Sequence, residues 1–341
     1  WFMLLIPPFV MLVITILLAL TVKSVFMLIS IATTLVTLIG SVVGAFSQIR
    51  KFKKKKEERE RKYLQFIKDT RSHLSIIKEQ QIKAMNEMNP EPSECINRIN
   101  QIDKKLWERT PSFKDFLSIR LGLGSVPIEI AIKYTKQAII MENDPLLNEP
   151  QRLALEFEKI QDVPVTVNLM ETEICGISGE DEKIAQILQL LTLQIITHHG
   201  YDDVRLVILA KEEGLSKWNF LKHLAHIWND SFTSRYLLCG KAMAHPIFAE
   251  LYDLFKMREV NSQRINPIPH YVFIVEDSEL LENEQISKYI YDQNGKIGIS
   301  SIFTAMNQAY LPMNCKTVIN LAGKKGEIAN RETGERNSFV V

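Results

Sequence analysis

The chain has 341 residues, 46% apolar and 24% charged, with 41 Lys and Arg against 40 Asp and Glu. Those averages suit a water-soluble protein but conceal a segregation: residues 1–46 hold one charged residue, Lys23, and residues 50–62 hold nine basic residues and three acidic ones. That run supplies six net positive charges and Lys23 one more, so residues 63–341 carry about −6 of the overall +1, which argues against a body built around a phosphate-binding basic face. The 295 residues after the apolar start suffice for one large or two smaller domains. Cysteines 95, 175, 239 and 315 show neither CxxC nor Cys/His spacing, which predicts free thiols in a reducing compartment. The first residue is Trp1 with no signal-peptide basic region before the apolar stretch, so the expectation is a piece of a longer protein.

Residues 1–22 and 24–46 are each long enough to cross the hydrocarbon layer as a helix, and joined at Lys23 they predict a transmembrane hairpin. Pro7 and Pro8 fall near a membrane entrance or in a first turn, where proline is tolerated. The basic run RKFKKKKEERERK (50–62) places everything after residue 50 on the cytoplasmic side, and its position also suits contact with anionic head groups. The predicted domains are a hairpin at 1–46, a basic exit and helical stalk at 47–112, and an α/β body at 113–341.

From 57 to 88 there is no Gly or Pro, and Tyr63, Phe66, Ile67, Leu74, Ile77, Ile82, Met85 and Met88 form a helical stripe. Asn89-Pro90-Glu91-Pro92 ends it, and Ser93 is the expected N-cap of a second helix carrying Ile96, Ile99, Ile102, Leu106 and Trp107. Beyond Thr110, short apolar runs alternate with helical segments. Strands are predicted at 116–121, 165–169, 172–176, 204–210, 236–239, 271–275, 300–304 and 317–321, and helices near 151–160, 181–198, 216–227, 246–259 and 283–291. Alternation of this kind predicts a largely parallel sheet covered on both faces.

In EICGISGEDEKIAQILQLLTLQI (173–195) a strand, a glycine turn and a helix occupy the context of a phosphate loop, which needs GxxxxGK[ST]. Counted from Gly176, Asp181 stands where the second Gly belongs, Glu182 where Lys belongs and Lys183 where Ser or Thr belongs. Two carboxylates would repel a triphosphate, so the loop, with Gly176, Gly179, Glu182 and Lys183, is read as degenerate and without a bound cofactor. HYVFIVEDSELL (270–281) ends an apolar strand in Glu276-Asp277, the reverse of the usual Asp-Glu order at a magnesium and water site. That reversal predicts acids capping the following helix rather than catalysing. No catalytic residue and no metal site is assigned, and His198 and His199 read as ordinary helix-end histidines.

These residues resemble the membrane-bound FtsK/SpoIIIE-type ATPases of type VII secretion, called EssC or YukB in firmicutes and EccC in mycobacteria. The resemblance runs along nearly the whole chain: the apolar hairpin, the basic exit, YLQFIKDTR (63–71), NPEP (89–92), LWERTPSFKDFLSIRLGLG (106–124), HLAHIWND (223–230), PHYVFIVED (269–277) and GISSIFTAMNQAYLP (298–312). It implies a membrane anchor, a stalk and a first, pseudo-ATPase domain with a RecA/FtsK-like α/β fold. ATP and magnesium belong, on this resemblance, to downstream modules of the parent protein. The implied partners are the lipid bilayer, other type VII membrane components, further copies in a hexameric motor, and WXG100-type secreted proteins through the parent, with no nucleic acid. The 106–124 signature marks a stalk–body junction. Trp107 and Phe116 are expected as its apolar plug, Arg109 and Arg120 as interdomain hydrogen-bond donors, with Arg109 equally expected in solvent, and Gly122 and Gly124 where a turn or a close backbone approach occurs.

Overall fold

The computed structural model describes residues 6–21, 25–134, 145–261, 267–292 and 295–341. Three helices lead, α1 (Ile6–Thr21), α2 (Val25–Met88) and α3 (Pro92–Gln101). They are followed by β1 (Ser118–Pro127), α4 (Glu149–Glu156), β2 (Lys159–Asn168), α5 (Leu169–Thr172), β3 (Ile174–Ser178), α6 (Asp181–His198), β4 (Val204–Leu209) and β5 (Leu237–Leu238). The last elements are α7 (Lys241–Val260), β6 (His270–Val275), α8 (Ser287–Ile290), β7 (Ile299–Ala305), β8 (Thr317–Ala322), β9 (Lys325–Asn330) and β10 (Arg336–Val340). Residues up to Ile76, with 145–150, form one compact unit, and those from Ile77 to Tyr134 and from Gln151 onward form a second. The boundary falls inside α2, so the last turns of the stalk helix and all of α3 belong with the α/β body.

In the first unit, no residue from Val25 to Ile49 is charged, and α2 is the one described helix long and apolar enough to cross a membrane. Its hydroxyls bond backward within the helix, Thr34 Oγ1 to Ser30 O at 3.1 Å and Ser41 Oγ to Thr37 O at 2.8 Å. Internal satisfaction of this kind is what a helix surrounded by hydrocarbon requires. α1 is shorter and apolar throughout, while the linking Lys23 lies outside the described residues. Among the stalk residues, Ile67 and Leu74 are buried, but Phe66 and Met88 are exposed.

In the second unit a ten-stranded sheet runs in the order β2-β1-β10-β9-β8-β3-β7-β6-β4-β5. Six strands, from β8 to β5, pair in parallel, and the other half is antiparallel. The parallel half is doubly covered because alternate residues of each strand point to opposite faces. Leu206, Ile208, Val272 and Ile274 pack with Ile187, Leu191 and Ile195 of α6, while Val207, Leu209, Phe273 and Val275 pack with Phe248, Leu251 and Phe255 of α7. Strands buried on both sides need the uninterrupted Val/Ile/Leu runs that mark β4 and β6.

Several expected elements differ. β2 begins at Lys159, where a helix is expected, and includes Pro164; as an end strand of the sheet it tolerates a residue without an N–H. Residues 212–223 form tight 3-10 turns rather than an α-helix, and the helix expected at 283–291 is confined to Ser287–Ile290. The β9–β10 hairpin is not foreseen, because each strand buries only one residue, Gly326 and Phe339. Ser93 is not the N-cap of α3: that position is Glu91, without a side-chain cap bond, and Pro92 starts the helix.

The last turn of α2 is held by the second unit's own arginines. Arg109 donates through Nη2 to Met88 O and through Nη1 to Ser118 O at 2.6 Å, and its Nε lies 3.1 Å from Asp115 Oδ2. Arg120 Nη1 donates to Asn89 O at 3.0 Å. Both arginines are buried, so guanidinium donors serve carbonyls that the end of a helix leaves unpaired. Gln194, on α6, exchanges two 2.8 Å bonds with the Arg120 backbone. Trp107 is 44% exposed, not a buried plug, and is fixed by Nε1–H to Ile196 O at 2.9 Å and edge-on contact with Tyr201. Phe116 is buried edge-on against His199. A side chain at Gly122 or Gly124 would collide with the β10 carbonyls of Val340 and Ser338.

Beneath this junction lie neutral histidines. Burial pushes His198 down to about 2 and His199 and His270 to about 3, and lowers His226 as well. His199 Nε2 accepts from Leu117 N–H at 3.0 Å, and His270 is 2.8 Å from Ser300 Oγ, whose hydroxyl donates to Leu169 O. Below the ordinary imidazole range the unfolded chain binds protons that the folded one refuses, so stability is whole above pH ~6.5 and falls toward pH ~3, by about 1.4 kcal/mol per pH unit for each histidine. Glu173 and Asp203, raised by burial, act in the opposite sense but are fewer. The urea midpoint of the solubilised chain is therefore expected to drop from pH 7.5 to pH 5, less steeply in His270→Gln; a flat profile contradicts this. Arg109→Met, which strands two carbonyls and Asp115, is expected to cost about 3 kcal/mol. Limited proteolysis should then cut faster across 103–116, and an unchanged rate would refute the capping role.

Candidate functional site

In open α/β sheets, ligands bind in the crevice beyond the carboxyl ends of the parallel strands. Here β3, β4, β6 and β7 end around a cleft of about 270 Å³, lined among others by Asp181, Lys211, Lys217, Glu276 and Thr304. β3 and β6 are separated by β7, so the two candidate motifs sit about 10 Å apart, two strand spacings.

The β3–α6 connection is two residues, Gly179 and Glu180. Gly176 lies inside β3, paired with both β7 and β8, not in the turn. The span from Gly176 to Lys183 is therefore strand, short turn and first helical turn, with no loop long enough to wrap phosphate oxygens. Both glycines answer to packing. A Cβ at Gly176 would stand 2.7 Å from Leu311 Cδ1, and Gly179, at φ +152°, passes close to Leu321 O. Asp181 and Glu182 occupy the first turn of α6, where carboxylates complement the helix dipole, and Lys183 Nζ turns sideways to Gln186 Oε1 at 3.1 Å. The first turn of α6 thus carries Asp181, Glu182 and Lys183, and the strand before it ends in Ser178, whose Oγ donates to Asn320 Oδ1 at 3.3 Å.

The acid pair divides. Asp277 Oδ1 accepts from Glu279 N–H at 3.1 Å and caps a short 3-10 turn. Glu276 instead points into the cleft, its side chain 6% exposed, with Oε1 2.5 Å from Lys217 Nζ and Oε2 accepting from Trp218 Nε1–H at 2.9 Å. Burial of a carboxylate is tolerable only with such partners. The cleft thus carries its own internal cation and donor, supplied by the 212–223 turns. Sequence reasoning missed Lys217 and Trp218 because KEEGLSKWNFLK carries no catalytic spacing. It also missed Gln194, one of two amides in the otherwise largely apolar run LQLLTLQII. The junction residues Trp107, Arg109, Phe116, Arg120, Gly122 and Gly124 gather at β1 and the C-terminal end of α6, apart from the cleft in sequence and element.

No family model matches the sequence. Among curated proteins, the chain is 26% identical over 332 residues to the ESX secretion system protein EccC of Geobacillus thermodenitrificans, covering 96% of this chain and 22% of that protein. It is 26% identical over 317 residues to the ESX secretion system protein YukB of Bacillus subtilis, covering 92% and 21%. It is 22% identical over 336 residues to the type VII secretion system protein EssC of Staphylococcus aureus, covering 96% and 23%. The chain spans about a fifth of the length of these relatives. Among solved structures, ATPases 2 and 3 of EssC from Geobacillus thermodenitrificans superpose with a TM-score of 0.44 at 10% identity, over 70% of this chain and 47% of that one. Along nearly its whole length, this chain is similar to the secretion system proteins EccC, YukB and EssC, at 22–26% identity.

Proposed function

We propose that the chain is the membrane-anchored stalk and a non-hydrolysing, ATPase-like domain of a type VII secretion protein, anchoring and coupling modules that lie elsewhere in the parent. The observation that carries the reading is the cleft: a two-residue turn where a phosphate loop would stand, and a buried Glu276 already neutralised by Lys217 and Trp218. A triphosphate entering there would meet Asp181 and Glu182 and would have to compete with Glu276 for Lys217. In this proposal the chain crosses the membrane twice, through α1 and α2, and residues after 50 are cytoplasmic. Its partners are other membrane components of the system and further copies of itself, and exported WXG100-type proteins reach it through the parent's other modules. ATP and magnesium act in those modules.

Isothermal titration of the detergent-solubilised chain with ATP and magnesium is expected to show no saturable heat at millimolar nucleotide. Saturable binding that is lost in Lys211→Glu would overturn the reading in favour of an ATPase module with an atypical phosphate site, since Lys211 lines the cleft without pairing Glu276.

A further inference from the structure

The basic segment of α2 has an internal division that its net charge hides. Arg50, Lys51, Lys53, Lys54, Lys55 and Lys56 contain no acid among them, whereas residues 57–62 balance three acids against three bases. In the second stretch Lys62 Nζ meets Glu58 Oε1 at 2.9 Å. Of the six leading cations, only Lys56 comes within ion-pairing distance of a carboxylate among the described residues, Glu60 at 3.9 Å, and all six are exposed. The unneutralised charge is thus confined to the two turns that directly follow the uncharged stretch ending at Ile49.

Its distribution around the axis is the second observation. At about 100° per residue, the six cations fall at roughly 0°, 40°, 100°, 140°, 240° and 300°, leaving no face bare. A helix lying flat on a bilayer segregates its cations to one side and apolar residues to the other. This pattern does the opposite, and the one apolar residue within it, Phe52, is exposed, as are Phe46 and Ile49 just before it. The six cations occupy about 9 Å of axis, close to the depth of one head-group layer, about 5–8 Å. A helix passing through that layer upright presents cations to lipids on every side.

Resting on the reading of α2 as a membrane anchor, we propose that residues 50–56 form a collar that gathers anionic phospholipid head groups around the helix, so that the chain carries a selected lipid shell. Each head-group phosphate without a compensating choline or ethanolamine charge meets an ammonium or guanidinium that, Lys56 apart, has no carboxylate to give up.

The test uses the full chain in phosphatidylcholine vesicles containing a minority of phosphatidylglycerol, with the lipid retained by the protein after mild detergent extraction quantified by mass spectrometry. Phosphatidylglycerol is expected to be enriched about twofold or more over its bulk fraction at low salt, the direction that juxtamembrane cations dictate. The variant combining Lys51→Gln, Lys53→Gln, Lys54→Gln and Lys55→Gln should return to the bulk ratio, the corresponding Lys→Arg variant should keep the enrichment, and Arg59→Gln with Arg61→Gln should leave it unchanged. A bulk ratio in the unaltered chain, or enrichment that survives the four Gln substitutions, overturns the collar. So does enrichment abolished by stoichiometric duplex DNA, which would make nucleic acid the partner. Release of the chain from vesicles by alkaline carbonate would instead sink the anchor reading, which keeps the two failures distinct.

Discussion

The second unit depends on how the C-terminus of α2 is stopped. A helix ends with carbonyls that have no donor and a partial negative charge concentrated on them. In a solvent-facing helix water would supply the donors. Here Arg109 and Arg120 do so from buried positions, reaching Met88 O and Asn89 O, and each also engages the β1 region, Arg109 through Ser118 O and Asp115 and Arg120 through its own strand backbone. Lysine could not replace them, since one ammonium lacks the planar fork that serves several acceptors at fixed angles. The NPEP turn and the LWER segment therefore act together: proline ends the helix, and the arginines that follow in sequence return to cap it.

The same economy governs the cleft. Strand ends, a glycine turn and a helix N-terminus give the backbone frame on which phosphate binding is usually built, yet several groups at that frame already have an internal task. Gly176 and Gly179 make room for Leu311 and Leu321, Asp277 caps a turn, and Glu276 is held by Lys217 and Trp218. A buried carboxylate with two good partners has little to gain from an incoming cation, and a lysine committed to it has little to offer an anion.

Legibility in the sequence followed how completely each segment is buried. β4 and β6 are enclosed on both sides, so every residue had to be apolar and the runs were evident. β9 and β10 needed only Gly326 and Phe339 inside, the ring of one standing over the bare backbone of the other, and so left no period to detect. The turn between them is built on Asn330 and Gly334, where Asn330 Oδ1 accepts from Glu332 N–H at 2.8 Å and Gly334 takes φ +73°. At the candidate site the carboxylates of the β3–α6 turn were legible as types, but the length of the turn was not, because strand and helix limits depend on pairing with β7 and β8 rather than on local composition. Trp107 differs for a similar reason: a large aromatic suggests burial, whereas the junction uses its indole N–H, which reaches Ile196 O while 44% of the residue stays exposed.

The charge distribution binds these features into one physical picture. A body of net negative charge would be repelled by an anionic surface, and in sequence the six cations of 50–56 lie between it and the apolar half of α2. Residues 57–62, whose three acids balance three bases and among which Lys62 pairs with Glu58, cancel locally, and screening removes what remains within about 8–10 Å. Two turns of lysine and one arginine, with only Lys56 near a carboxylate, are costly as an isolated helix, through mutual repulsion. Counter-charges around the axis would offset that repulsion, which is what the proposed head-group collar supplies.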